Sequence, residues 1–102
     1  MQVPTELTFH GLDHSDSAEA AVERWVARLE QLHARITRCE VVIDQPHRSA
    51  RHRDFHVRIL LAAPGIELAS NAEHDDIYLA IADAFRAAHR QLRTKREHRL
   101  AS

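Results

Sequence analysis

The sequence predicts an α+β fold. It is a two-layer sandwich in the order β-α-β-β-β-α, a four-stranded mixed sheet with both helices on one face. Three observations carry this reading. Four short segments alternate apolar and polar residues with a period of two, the signature of half-buried strands. Two long segments repeat apolar residues at intervals of three and four, the signature of amphipathic helices. One helical segment separates the first two strands, which makes that pair parallel through a right-handed crossover, and the remaining strands pair as hairpins.

The first strand is ELTFHG, around residues 5–11, with Leu7 and Phe9 on one side and Thr8 and His10 on the other. DHSDSAE then opens a helix. Ser15 is placed to cap it, and Asp16 and Glu19 put negative charge where the helix dipole favours it. Ala18, Val22, Trp25, Val26, Leu29, Leu32 and Ile36 fall in one apolar stripe, which predicts a helix over about 16–34. Glu23 and Arg24 lie outside that stripe and Arg28 flanks it. TRCEVVIDQP is the second strand, with Cys39, Val41 and Ile43 inward and Pro46 as its stop. DFHVRILLAAPG is the third, with Phe55, Val57, Ile59 and Leu61 inward. Ala63-Pro64-Gly65 is a turn signal, and IELASN returns as a short fourth strand. The last helix begins near Glu73 to Asp76 and buries Ile77, Ile81, Ala84, Phe85, Ala88 and Leu92.

With 102 residues and 44% hydrophobic content, residues 1–102 form one domain with a thin core. A basic helix end follows from about residue 93. The N-terminus has no basic stretch leading into an apolar run, so no secretion signal is read. No apolar stretch approaches the roughly 20 residues of a membrane span. A single cysteine, Cys39, allows no internal disulfide, which suits the cytoplasm.

The formal net charge is only −1, but it is unevenly spread. Residues 1–46 hold four arginines against eight acids, whereas residues 47–102 hold ten lysines or arginines against seven acids. From residue 84 onward six basic residues face one acid. Arg86, Arg90 and Arg93 fall opposite the apolar stripe of the last helix and make one exposed ridge, with Lys95, Arg96 and Arg99 beyond Leu92. A second basic element, PHRSARHRD, carries Arg48, Arg51 and Arg53 between strands two and three. Two basic elements on one small domain suit a polyanion, and together they would meet about 4–8 phosphates.

Enzyme chemistry finds no support. There are nine histidines, but His47, His52 and His56 have no cysteine or paired carboxylate at ligand spacing, so no metal site is assigned. The strand phase of Cys39 points it into the core, away from any nucleophilic role. The only glycines are Gly11 and Gly65, so no glycine-rich phosphate loop exists. No catalytic residue and no cofactor is expected. Few aromatic residues lie off the apolar stripes, so no base-stacking platform is expected either.

FHGLDHSDSAEAAVERWVARLEQL, RCEVVIDQPHR, FHVRILLAAPGIELASN and HDDIYLAIADAFRAAHRQL, in this order and spacing, resemble the ribosome hibernation promoting factor family. That family is also called ribosome-associated inhibitor A, ribosomal subunit interface protein or sigma-54 modulation protein. HDDIY is similar to the family's H-E-D-[MVL]-Y helix opening, with Asp75 for glutamate, and Arg90-Gln91-Leu92 to a near-regular R-Q-L. The resemblance covers about residues 3–95 and implies a short-form member, since the chain stops at Ser102 where longer members continue into a second domain. It implies a translation inhibitor of the bacterial stress response. Such a protein sits in the mRNA/tRNA channel of the small ribosomal subunit and stores idle ribosomes. It implies contacts to the rRNA backbone through basic side chains, here Arg28 on the first helix, Arg90 and its ridge neighbours Arg86 and Arg93, and the arginines of PHRSARHR. The low net charge supports a second reading, a regulatory protein-binding domain of the same fold that has lost the ribosome. A homodimer, through an edge strand or the open sheet face, fits either reading.

Overall fold

A computed structural model describes residues 4–46 and 54–101, with side chains through His98. The elements are β1 (Thr5–His10), α1 (Asp16–Leu32), β2 (Arg38–Asp44), β3 (Phe55–Ala63), β4 (Ile66–His74) and α2 (Ile77–Ala101). The sheet order is β1-β2-β3-β4. β1 runs parallel to β2, and the other two pairings are antiparallel, as the connections require.

The core lies between the sheet and the two helices. Alternate residues of the central strands, Cys39, Val41 and Ile43 on β2 and Val57, Ile59 and Leu61 on β3, are buried against Val22, Val26 and Leu29 of α1 and Ile81, Phe85, Ala88 and Leu92 of α2. The register places Val41 beside Ile59 and Ile43 beside Val57, so the apolar residues form continuous rows under the helices. One polar side chain enters this layer. Ser70 is buried, and its hydroxyl donates to the Ala84 carbonyl at 2.9 Å, tying β4 to α2 without leaving a donor unpaired. The β3–β4 hairpin closes on Pro64-Gly65, where Gly65 takes a φ of 73° that a Cβ would oppose.

Local signals set the helix starts. The Ser15 hydroxyl accepts the Ala18 N–H at 3.2 Å at the head of α1. Asp76 does the same for α2, one carboxylate oxygen accepting the N–H groups of Tyr78 at 2.8 Å and Leu79 at 3.2 Å.

The structure shifts three expected boundaries. α1 ends at Leu32 rather than near 34, because His33 turns to extended backbone and sends its ring to α2. Leu32 is therefore 57% exposed instead of lying in the buried stripe, while Ile36 reaches the core from the connection after the helix. β4 runs to His74 rather than ending at Asn71, because nine-residue β3 offers partners as far as Phe55↔His74. The last helix consequently starts at Ile77, past the acids expected at its head, and only Asp76 caps it.

Candidate functional site

The basic ridge of α2 forms as its spacing predicts. Arg86, Arg90 and Arg93 are all exposed along the side of α2 away from Ile81, Phe85 and Leu92. Their local partners are weak. Arg86 lies 3.7 Å from Asp83 and Arg93 lies 4.0 Å from Glu97, both on the surface where such pairs contribute little. Among the described residues neither Arg90 nor Lys95 has a carboxylate within 4.0 Å. Like charges along one helix face are tolerated by folding at a few tenths of a kcal/mol per pair rather than required by it.

Trp25 extends the site across both helices. The indole of this α1 residue stacks on Phe85 of α2, ring centroids 5.9 Å apart and nearly coplanar. The Arg28 guanidinium sits 5.5 Å from the indole centroid and that of Arg86 sits 5.7 Å from it. Two arginines from different helices thus share one aromatic ring, which restrains both at small cost. Sequence patterning assigned Trp25 to the apolar stripe and gave it no other part. The available signal was the chain's one tryptophan three residues before an arginine on an exposed helix flank.

Arg96 is different. It is half-buried and acts on His33 across the helix pair, so it flanks the ridge rather than continuing it. His33 is 6% exposed, and its Nε2 is 2.9 Å from His89 Nδ1, one ring donating and the other accepting. Burial, Arg96 and His89, in that order, hold the His33 pKa below its ordinary value.

Arg48, Arg51 and Arg53 lie outside the described residues. The flanking residues fix where their segment attaches. Asp44 pairs with His56 at the end of the sheet where β4 finishes and α2 begins. From Ile77, α2 travels about 24 Å before reaching Arg93. The chain thus leaves and re-enters the described structure at the end of the sheet away from Arg93.

Other chemistry-bearing groups are engaged locally. His14 Nε2 lies 3.0 Å from Asp16 and 2.9 Å from Glu19, with Phe9 edge-on to its ring. These three groups are the described set with donor atoms close enough to share a cation. They sit at the head of α1, where the helix dipole opposes positive charge and favours the two carboxylates. Cys39 is buried, and burial followed by the nearby Glu40 pushes its thiol up to about 12, so no thiolate is available. His56 lies on the outer face of β3 beside Asp44 and Glu73, and His47 and His52 are outside the described residues. The Tyr78 hydroxyl meets the Ser17 hydroxyl at 2.6 Å, linking the heads of the two helices.

Comparison with known proteins agrees with this architecture. Residues 5–100 match the family model described as sigma 54 modulation protein / S30EA ribosomal protein. A ribosome hibernation promoting factor from Azotobacter vinelandii is 33% identical over 81 residues, covering 79% of this chain and 69% of that protein. Two solved structures share the fold. One is a ribosomal subunit interface protein from Coxiella burnetii, with TM-score 0.79, 18% identity, and 91% of this chain and 97% of that chain covered. The other is the N-terminal domain of Thermus thermophilus Protein Y, with TM-score 0.74, 23% identity, and 89% and 94% covered.

Proposed function

The chain belongs to the sigma 54 modulation protein / S30EA ribosomal protein family, and on that premise we propose that it is a ribosome-binding inhibitor of translation. It lodges in the mRNA/tRNA channel of the small subunit and grips the rRNA backbone. The observation that carries this reading is the exposed ridge Arg86, Arg90 and Arg93, joined through Trp25 to Arg28 on the neighbouring helix.

The mechanism is electrostatic and steric. Each exposed guanidinium that meets a phosphate releases counterions from the RNA, which supplies affinity without reading sequence. The shared indole limits the freedom Arg28 and Arg86 lose on binding. Lys95 and the arginines at 48, 51 and 53 add further contacts. The folded body then fills space that mRNA and tRNA need. No step requires a catalytic group, a metal or a cofactor, and the place of action is the cytoplasm.

Co-sedimentation with isolated small ribosomal subunits at rising salt tests this. Four phosphate contacts correspond to a loss of roughly a hundredfold in affinity between 50 and 200 mM salt. Saturable binding with that dependence supports the reading. Absence of binding at low salt overturns it in favour of a protein-binding domain that has lost the ribosome.

A further inference from the structure

The open face of the sheet plays no part in ribosome binding as proposed above, and its charge opposes RNA. Alternation turns Glu6, Glu40, Asp44, Glu67 and Glu73 outward, against Arg38 and Arg58. The register sets Glu6 beside Glu40 on adjacent strands, an arrangement of like charges that costs folding free energy. Arg38 pairs with Glu40 and lies within electrostatic reach of Glu6 and Glu67, so one cation answers three carboxylates. Arg38, Glu40 and Glu67 rim a shallow depression floored by Leu60 and Ala62, with Leu60 44% exposed and Glu6 beside Glu40. An apolar floor with an acidic rim suits a long cationic side chain, whose methylenes rest on Leu60 while its head reaches the carboxylates.

The chain itself carries such side chains, unclaimed by its own core. α2 continues past Leu92, its last core residue, and exposes Arg93 and Lys95. Depression and helix end lie toward the same end of the molecule. Arg38, Ala62 and Glu67 form the cross-strand row next to the β3–β4 hairpin. α2 heads for that hairpin, the Gln91 amide donating to the Ala69 carbonyl at 3.0 Å. The two patches lie on opposite faces of the sheet, so one copy's helix end is placed to meet the depression of another rather than its own. A net charge of −1 leaves little repulsion between copies.

We propose that the acidic depression around Leu60 is the docking surface for the basic α2 end of a second copy, a head-to-tail contact between copies. Self-association then competes with RNA for Arg93 and Lys95. This inference goes beyond the ribosome reading and stands without it.

A charge swap tests it by sedimentation velocity, with circular dichroism confirming folded protein. The wild type is expected to self-associate at about 50 mM salt and to dissociate near 0.5 M, where surface charges are screened. Glu6→Lys with Glu67→Lys, and Arg93→Glu with Lys95→Glu, are each expected to be monomeric. Mixed in equal amounts, the two variants restore complementary pairs and associate with each other. A wild type that stays monomeric at low salt and high concentration overturns the proposal. So does self-association unchanged in either variant, or a mixture that stays monomeric. Small-subunit co-sedimentation scores ribosome binding separately, so the two readings fail independently.

Discussion

Cys39 and His33 occupy the interior for different reasons, and each has a measurable consequence. Cys39 was expected in the core from strand phase alone, and it lies there under the helices. With its thiol pushed up to about 12, it is expected to resist a disulfide reagent at pH 8 in the native protein and to react fully in denaturant. Rapid native labelling would show that the β2 core opens readily. His33 is held neutral by its surroundings, its pKa lowered in the folded state. Above its unfolded value of about 6.5 this costs nothing. Below that value the unfolded chain takes up a proton that the folded chain resists, so stability falls with falling pH. Melting temperature is expected to drop between pH 7.5 and 5.5, and His33→Gln should shrink that drop. An identical pH dependence in the variant would mean the His33–His89 pair is not the group responsible. The sequence placed no weight on either histidine, because residues 33 and 89 are distant in the chain and meet only when the helices pack.

Caps and pairing partners decide where the elements stop. Asp76 holds two N–H groups at the head of α2, and Asp76→Ala is expected to cost about 1 kcal/mol in chemical denaturation, with the unfolding slope unchanged. A loss under about 0.3 kcal/mol would show that other groups take over the cap. The start of α1 was legible because Ser15, Asp16 and Glu19 form a local signal. Its end was not, since Leu32 fits the apolar period and only the packing of His33 against α2 breaks it. β4 was read short for a similar reason. Ala72, Glu73 and His74 carry little strand propensity, and β3 supplies the partners that make them strand.

The whole molecule segregates charge by face, with arginines along the exposed side of α2 and carboxylates across the open sheet. A net charge of −1 therefore says little about what the protein binds. Reversing the ridge with Arg86→Glu and Arg90→Glu is expected to abolish small-subunit co-sedimentation. Both residues are exposed, so the change in stability should stay within about 0.5 kcal/mol. Binding retained at moderate salt would place the contact elsewhere. The element order, the buried face of each strand and the basic ridge were legible in the chain alone, because each follows from a local period of two or 3.6 residues. Tertiary structure alone decided that Arg28 and Arg86 share Trp25, that His33 meets His89, and that the acids of β1, β2 and β4 collect on one face. Those are distances between residues far apart in the chain, and they exist only once the sheet register and the packing of the two helices are set.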